Sequence, residues 1–229
     1  MTPTSRDASG AATILHKLVV TPLQTNCYLL SRDRKGALVI DAGGDPGLIV
    51  AWLNENRLVP EWILCTHGHG DHLGANKLLK ETFPSLKIAV GAPDAPCLTS
   101  PVRNMSVLMG HWVKSPPADL KLNDRDRFTF QDLTFDVIAV PGHTPGGICL
   151  HTLLPEPPMQ SILFSGDVLF HGSIGCSDIP GGNHNLLVKT IRERLLVLPA
   201  STVVYPGHGR ATTIEKELRQ NAWLQTDNS

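Results

Sequence analysis

The most constraining feature of this chain is a short loop, Thr66 to His72, with the sequence THGHGDH. It places three imidazoles and one carboxylate within six residues, directly after an apolar run, Trp62–Cys65, that predicts a buried strand. Side chains with this many free lone pairs are expected to converge on bound cations. Gly68 and Gly70 are predicted to supply the backbone angles that let the ligands converge. Because the loop joins a strand to a predicted helix, it indicates a metal site rather than an exposed histidine-rich loop of incidental spacing.

Three later residues have the same context as this loop, since each follows an apolar, strand-like run. They are His143 in VPGHT, Asp167 in FSGD and His208 in YPGH. Strand ends that deliver loops to one edge of a fold commonly form a site there, so these residues are expected to join the loop. The seven candidates suffice for two metals with one shared ligand. Asp167 is the predicted bridge, because a carboxylate has two oxygens whereas an imidazole has one free lone pair.

Composition limits the class of protein to which this site belongs. The chain has 229 residues, 41% hydrophobic residues and a net charge of −1, enough apolar material for a real core without a basic surface. Binding to nucleic acid or to membranes through bulk charge is therefore not expected. No apolar run approaches the ~18 residues that would span a bilayer. The polar segment 1–13 is predicted to be a flexible tail without a secretion signal, and 14–229 to be a single cytoplasmic domain.

The order of elements predicts an α/β fold. Each half of the chain has several short strands followed by one or two helices, and no linker divides the halves, which indicates two packed β-sheets with helices outside. The predicted helices run from Asp45, as N-cap, to Arg57; from His72 to Glu81; from Asn183 to Leu196; and from a Thr212–Glu215 capping box to Leu224. The proline-rich stretch 92–121 is predicted to be an insertion, either one wall of a substrate cleft or a surface excursion packed on the core.

Together these motifs resemble the HxHxDH…H…D…H signature of the metallo-β-lactamase superfamily, from about His16 to the last helix. The resemblance implies a single-domain, four-layer αββα sandwich with the site at one edge of the two sheets. It also implies that His67, His69 and His143 hold the first metal. Asp71, His72 and His208 would hold the second metal, and Asp167 would bridge the two.

The ligand types indicate the chemistry. With no thiolate in the set, the cofactors are expected to be two divalent ions, zinc first, with iron or manganese also suited. A water bridging two such ions loses a proton near neutral pH, and the resulting hydroxide can attack a thioester or ester carbonyl. Asp71 is the candidate catalytic residue, orienting this water or shuttling its proton.

The segments 164–170, 175–178 and 183–186 are similar to glyoxalase II-like hydrolases of the short bacterial type. This resemblance implies a small-molecule thioester substrate, with S-2-hydroxyacylglutathione cleaved to glutathione and a 2-hydroxy acid. Longer members carry Lys or Arg where this chain has Cys176, and Tyr where it has Asp178, so hydrolysis is better supported than glutathione as the thiol. Two alternatives stay open: a mononuclear iron persulfide dioxygenase using His67, His143 and Asp167, or a lactonase or other ester hydrolase. No oligomeric state is predicted.

Overall fold

The structure of the chain is a computed structural model that describes residues 5–6 and 12–225. Its first sheet has seven strands in chain order: β1 (Ser5–Arg6), β2 (Ala12–Val20), β3 (Thr25–Ser31), β4 (Gly36–Ile40), β5 (Val59–Cys65), β6 (Lys87–Gly91) and β7 (Leu120–Leu122). β1 to β4 pair antiparallel, whereas β4 to β7 pair parallel. The parallel half requires crossover connections, and helices supply the first two of these.

The second sheet continues from the first along the chain. Its six strands are β8 (Arg127–Phe130), β9 (Leu133–Ala139), β10 (Ile148–Leu154), β11 (Gln160–Gly166), β14 (Val203–Pro206) and β15 (Thr212–Thr213). Between β11 and β14 the chain forms a separate two-stranded hairpin, β12 (Leu169–Phe170) and β13 (Ser173–Ile174). The order across this sheet is β15-β14-β11-β10-β9-β8, and β11 and β14 are parallel. The helices are α1 (Pro46–Glu55), α2 (Asn76–Thr82), α3 (Ala95–Leu98), α4 (His184–Thr190) and α5 (Ile214–Gln220).

Three apolar layers hold these elements together, which confirms the predicted αββα sandwich. Alternate residues of β4 show why: Ala37 and Val39 pack in the layer beneath α1 and α2, whereas Leu38 and Ile40 pack in the layer between the sheets. The third layer lies between the second sheet and the helices α4 and α5. A strand that is buried on both faces requires a continuous apolar sequence, and every residue of Gly36–Ile40 is buried.

The strand directions decide where the site forms. β4, β5 and β6 are parallel neighbours, so their carboxyl ends lie at one edge of the first sheet. β11 and β14 are parallel neighbours in the second sheet, so the loops that follow them also share an edge. The loop of candidate ligands follows β5, Asp167 follows β11 and His208 follows β14. Parallel strands that end at the same edge bring loops together from distant parts of the sequence.

Two predicted helix starts are wrong, by four residues and by one residue, and one predicted side-chain cap does not form. α1 begins at Pro46 as expected, but the Asp45 side chain accepts the backbone N–H of Thr21 instead of capping the helix. The helix expected from His72 begins at Asn76, because the residues before it form a 3₁₀ turn, Gly70–His72. The last helix is capped one residue later than predicted, by Thr213. The Asn183 cap is confirmed, and beyond α4 the helix continues as a π-helical turn to Leu195.

The segment 92–121 packs on the core and also reaches the site edge. Leu98 is buried in the layer beneath α1 and α2, while Asn104 and Ser106 are buried farther along the segment. Asn104 O accepts the backbone N–H of Gly70, at 2.8 Å, which fastens the segment to the loop of candidate ligands. The segment therefore packs on the core in one part and contacts the loop of candidate ligands in another, and a role as a wall of a substrate cleft stays a prediction.

Ser5–Arg6 pairs with Ala12–Thr13 as an added edge strand, and the rest of the predicted tail, residues 1–4 and 7–11, lies outside the described residues. Within the described part of the chain, no helix has the length and apolarity needed to cross a membrane.

Candidate metal centre

All seven candidate ligands lie together at the shared edge of the two sheets. One group comprises His67, His69 and His143, and all three are buried. A second group comprises Asp71, His72 and His208, and in each group the candidate ligand atoms lie within 4.8 Å of one another. The prediction that distant strand ends bring these residues together thus agrees with the geometry.

Asp167 lies between the two groups. Its Oδ2 is 3.7 Å from His143 Nε2 in the first group and 3.4 Å from His208 Nε2 in the second. Its Oδ1 is 3.4 Å from His72 Nε2. Gly207 makes room for this carboxylate, because a Cβ at that position would lie 2.1 Å from Asp167 Oδ1. A single carboxylate can therefore face ions in both groups.

Backbone carbonyls orient two of the imidazoles. His143 Nδ1 donates to Cys176 O at 2.7 Å, and His208 Nδ1 donates to Leu23 O at 3.0 Å. Because a carbonyl only accepts, each ring carries a proton on Nδ1, and its Nε2 is directed at the cluster. Outer hydrogen bonds of this kind fix the tautomer of metal-binding histidines.

Asp41, which the sequence analysis did not single out, supports two more of the histidines. It is buried at the carboxyl end of β4 and accepts both the backbone N–H and the hydroxyl of Thr66, each at 2.8 Å. The Thr66 hydroxyl has then used its proton, so it accepts from His67 Nδ1 at 3.2 Å and leaves His67 Nε2 facing the cluster. Asp41 Oδ2 also lies 3.1 Å from His72 Nδ1. Its position after an apolar strand is the same signal that identified Asp167.

Asp94, also missed from the sequence, joins the two loops that carry the first group. Its Oδ2 accepts the N–H of Gly68 at 2.8 Å, and its Oδ1 accepts the N–H of Gly146 at 2.7 Å. Burial raises the pKa of Asp94 above its ordinary value even though it accepts these two bonds. One buried carboxylate therefore sets the distance between the loop that holds His67 and His69 and the loop that holds His143.

Replacing Asp94 with Asn should weaken metal binding by roughly tenfold to a hundredfold, the usual cost of losing an outer-sphere partner. The amide keeps the volume but has only one oxygen, so one of the two backbone N–H groups loses its acceptor. Competition with a chromophoric chelator measures the affinity. Asp126→Asn is the matched control, because Asp126 also accepts a backbone N–H, that of Asn123, on the exposed surface away from the cluster. Equal affinities in both variants would contradict the role of Asp94.

Gly68 and Gly70 do not serve the purpose predicted for them. Neither adopts a positive φ. Instead the absence of side chains allows close packing, since a Cβ on Gly68 would lie 2.6 Å from Cys97 Cβ and one on Gly70 would lie 2.7 Å from Ser106 Cβ. The glycines let segment 92–121 press against the loop of candidate ligands.

Four of the candidate ligands are in the ionisation state that suits cation binding. Burial and the neighbouring imidazoles hold the pKa of His67 well below its usual value and lower that of His69 to about 4, so both rings are neutral at pH 7. Burial opposes the charge of Asp71, but His72 and a hydrogen bond from His208 outweigh it and lower the pKa of Asp71 to about 2. The same balance holds the pKa of Asp167 well below its usual value. Neutral imidazoles and ionised carboxylates are the forms that bind metals.

The unsatisfied atoms of the cluster also fit a cation. His143 Nε2 and Asp167 Oδ1 are buried without a hydrogen-bond partner among the described residues, and both face the cluster. His67 Nε2 and His69 Nδ1 lie only 3.0 Å apart. Lone pairs directed at one point, in a set of imidazoles and carboxylates without sulfur, indicate a site for divalent metal ions.

Comparison with known proteins agrees with this fold and site. The sequence matches the profile of the Metallo-beta-lactamase superfamily over residues 20–208. It is 34% identical to the hydroxyacylglutathione hydrolase GloC of Haemophilus influenzae, over 90% of this chain and 96% of that protein. Among solved structures, the BLEG-1 B3 metallo-β-lactamase superimposes with a TM-score of 0.85 at 37% identity, covering 93% of this chain and all of that one. TTHA1623 in a di-iron-bound form gives 0.79 at 34% identity, covering 91% of this chain and all of that one.

The sandwich, the His/Asp cluster at its edge and these matches over most of the chain agree with one another. The protein belongs to the metallo-β-lactamase superfamily and is a metal-dependent hydrolase of that fold.

Proposed function

We propose that the cluster binds two divalent ions, zinc first. His67, His69 and His143 would hold one ion, Asp71, His72 and His208 the other, and Asp167 would be shared. The observation that carries this proposal is the position of the Asp167 carboxylate, which reaches atoms of both groups within 3.7 Å. The likeness to a di-iron protein supports two ions but leaves iron as an alternative to zinc.

The proposed reaction is hydrolysis of a thioester, in the manner of glyoxalase II. Bound divalent ions supply a nucleophilic water at neutral pH and polarise a carbonyl oxygen. Asp71 would orient the attacking water: its Oδ2 accepts the Thr25 hydroxyl at 3.2 Å, and its pKa of about 2 makes it a fixed acceptor instead of a proton store. The similarity to GloC supports a hydroxyacyl thioester as substrate.

The inclusion of His208 in the cluster supports a hydrolase over the mononuclear dioxygenase. His208 Nε2 lies 3.3 Å from both Asp71 Oδ2 and His72 Nε2, so these three side chains form a second group of candidate ligands. A mononuclear iron site built from His67, His143 and Asp167 would leave this group without a purpose.

The test is thiol release from S-lactoylglutathione by protein loaded separately with Zn²⁺, Mn²⁺ and Fe²⁺. A kcat/KM within about 10⁴–10⁸ M⁻¹s⁻¹, the usual enzymatic range, is expected with at least one metal. Absence of release with two ions bound per chain would overturn glutathione as the carrier thiol. Persulfide-dependent oxygen uptake by the iron-loaded protein would overturn the hydrolytic assignment.

The likeness to BLEG-1 favours a second candidate, hydrolysis of a β-lactam amide. The same centre can act on either carbonyl, so the two functions differ in the substrate and not in the ligands. A kcat/KM for nitrocefin that exceeds the value for S-lactoylglutathione would favour this second candidate.

The surface around Cys176 bears on the carrier thiol. Cys176 is exposed, and its Sγ donates to Asp178 Oδ1 at 2.8 Å. The adjoining cavity is lined by residues 174–178, His184 and Trp223, none of which is a Lys or Arg. Among the described residues, the lining of this cavity therefore offers no Lys or Arg to a carboxylate of glutathione.

Replacing Cys176 with Arg should lower the KM for S-lactoylglutathione by about tenfold, because a charge-assisted hydrogen bond contributes roughly 1.5 kcal/mol. The KM for a thioester of an uncharged thiol should stay the same, which provides the control within one variant. An unchanged KM for S-lactoylglutathione would mean that position 176 does not face the substrate.

Metal binding by the two groups should differ in its pH dependence. Burial disfavours the charged form of His208, but its hydrogen bonds to Asp167 and Asp71 outweigh this and raise its pKa to about 10; the pKa of His72 is also raised, by Asp71 and Asp167. An ion entering the second group must displace these protons, so its affinity should rise with pH, by about tenfold per pH unit for each proton released. His69, with a pKa of about 4, imposes no such cost near neutrality.

We therefore expect the second group to lose its zinc ion at a higher pH than the first group as the pH is lowered, because only the second group must release these protons. Equilibrium dialysis followed by elemental analysis counts the ions. Calorimetry in buffers of different ionisation enthalpy counts the protons released. Loss of both ions over the same pH interval would contradict the distinction between the groups.

A further inference from the structure

A second cavity, of about 590 Å³, lies beside the candidate metal ligands, and Cys176 is not part of its lining. Gly70 and Asp71, from the loop of candidate ligands, form part of its lining, so the cavity is continuous with the centre. Pro22 and Leu23, from the turn between β2 and β3, contribute to the lining. Met109 and Trp112, from segment 92–121, contribute to it as well.

The wall formed by segment 92–121 is held in place before any ligand binds. Asn104 is buried, accepts the N–H of Ser106 at 3.1 Å and donates to Val113 O at 3.0 Å. Ser106 Oγ accepts the N–H of Val113 at 3.0 Å. The bond from Gly70 N to Asn104 O ties this braced turn to the loop of candidate ligands. The side chains of Met109 and Trp112 are therefore presented to the cavity by a turn that is internally hydrogen-bonded.

Charge decides what kind of group can enter. The charged side chains among the described residues lining the cavity are Asp45 and Asp71, and no Lys or Arg lines it. Asp45 is already engaged by the N–H of Thr21, at 2.7 Å. Asp71 belongs to the second group of candidate ligands, and apart from His111 the described lining has no basic side chain that could pair with the carboxylates of glutathione or the phosphates of a nucleotide carrier, so these groups do not suit this cavity.

The rim exposes apolar surface that a ligand would cover. Trp112 is 70% exposed and Leu23 is 51% exposed, and both line the cavity. Exposed apolar side chains that border a cavity next to a reactive centre commonly mark a binding site. An apolar chain in contact with both would remove this surface from water, which favours binding.

We propose that this cavity holds the acyl chain of the substrate, so that the preferred thioesters carry an apolar acyl group; this inference rests on the proposed thioesterase function. The acyl chain would lie between Trp112 and Leu23, with its carbonyl directed to the metal centre. The thiol would leave toward Cys176. Trp112 is then a specificity-determining residue, while the chemistry belongs to the metal ligands.

The test compares S-acetyl, S-butanoyl and S-octanoyl thioesters of N-acetylcysteamine, an uncharged thiol, with the metal-loaded protein. We expect kcat/KM to rise at least about tenfold from acetyl to octanoyl, because each added CH₂ is buried. Trp112→Ala should reduce the octanoyl-to-acetyl ratio by about tenfold, and Trp112→Phe should restore most of it. Leu108→Ala is the matched control, since Leu108 is equally exposed on the same turn but does not line the cavity.

Calorimetric titration of the same metal-loaded proteins with octanamide, an uncharged probe, tests the cavity apart from turnover. A Kd that rises about tenfold in Trp112→Ala but not in Leu108→Ala supports the proposal. A flat dependence on acyl length in the wild type, or the same slope in wild type and Trp112→Ala, would overturn it. If no thioester of any length is hydrolysed, the proposed thioesterase function fails. The octanamide titration then decides separately whether the cavity binds an apolar chain, and a Kd unaffected at Trp112 overturns the cavity proposal as well.

Discussion

Replacing Asp167 with Ala should lower kcat by at least about a thousandfold and reduce the metal content from two ions per chain to one or none. A thousandfold loss corresponds to roughly 4 kcal/mol, within the several kcal/mol that metal ions contribute to charge stabilisation. The reason is geometric: this carboxylate reaches His143 of the first group and His72 and His208 of the second. Elemental analysis and steady-state kinetics on the same preparation measure both effects.

Asp167→Asn should reproduce most of this loss, because an amide keeps the volume but lacks the charge and offers one acceptor oxygen. The matched control is Asp178→Asn, which changes an exposed carboxylate near Cys176 that does not face the cluster. Two ions per chain and full turnover in Asp167→Ala would contradict the dinuclear proposal.

Replacing Asp41 with Asn should weaken metal binding by about tenfold to a hundredfold and lower the free energy of unfolding by roughly 3 kcal/mol. In the wild type, the two carboxylate oxygens of Asp41 face three groups: the Thr66 N–H, the Thr66 hydroxyl and the His72 ring. An amide has only one oxygen that can accept hydrogen bonds from them. Its NH₂ group must then face one of these donors. Without the negative charge behind it, His72 loses part of the electrostatic support that raises its pKa.

Urea denaturation of the metal-free protein measures stability, and chelator competition measures metal affinity. Asp119→Asn is the control, because Asp119 also accepts a strand N–H, that of Ile88 at 2.8 Å, but lies away from the cluster and is partly exposed. If Asp41→Asn lowered stability to the same extent as Asp119→Asn and left the metal affinity intact, Asp41 would be an ordinary structural residue.

The sheets of this protein are predicted well from its sequence, and the helix starts are predicted less well. The αββα sandwich is predicted because strands such as Gly36–Ile40 are apolar at every position, which requires burial on both faces. Helix starts are predicted less well, because a capping side chain has competing partners. Asp45 accepts the N–H of Thr21, which lies in the turn between β2 and β3, and no local pattern contains this contact.

The residues of the site also fall into those that the sequence identifies and those that it does not. The loop from His67 to His72 is identified from sequence because its metal-binding residues are adjacent in the chain, so their proximity does not depend on the fold. His143, Asp167 and His208 are identified because each ends an apolar strand, and the parallel pairing of β11 with β14 brings the last two loops together. The signature of the superfamily gives the same seven residues.

The roles of Asp41 and Asp94 could not be assigned from sequence, because each depends on which loops the sheets place beside it. Asp41 accepts the N–H of Thr66 because β4 and β5 are parallel neighbours. Asp94, which follows β6 of the first sheet, accepts the N–H of Gly146, which precedes β10 of the second sheet. The cavity lined by Leu23 and Trp112 likewise joins residues almost ninety positions apart.

The sequence by itself determined the fold class and the candidate ligands, since apolar runs and clustered imidazoles are local patterns. The tertiary structure alone decided which carboxylates orient the ligands and which apolar side chains face the site, because hydrogen bonds and cavities form between loops that only strand order brings together.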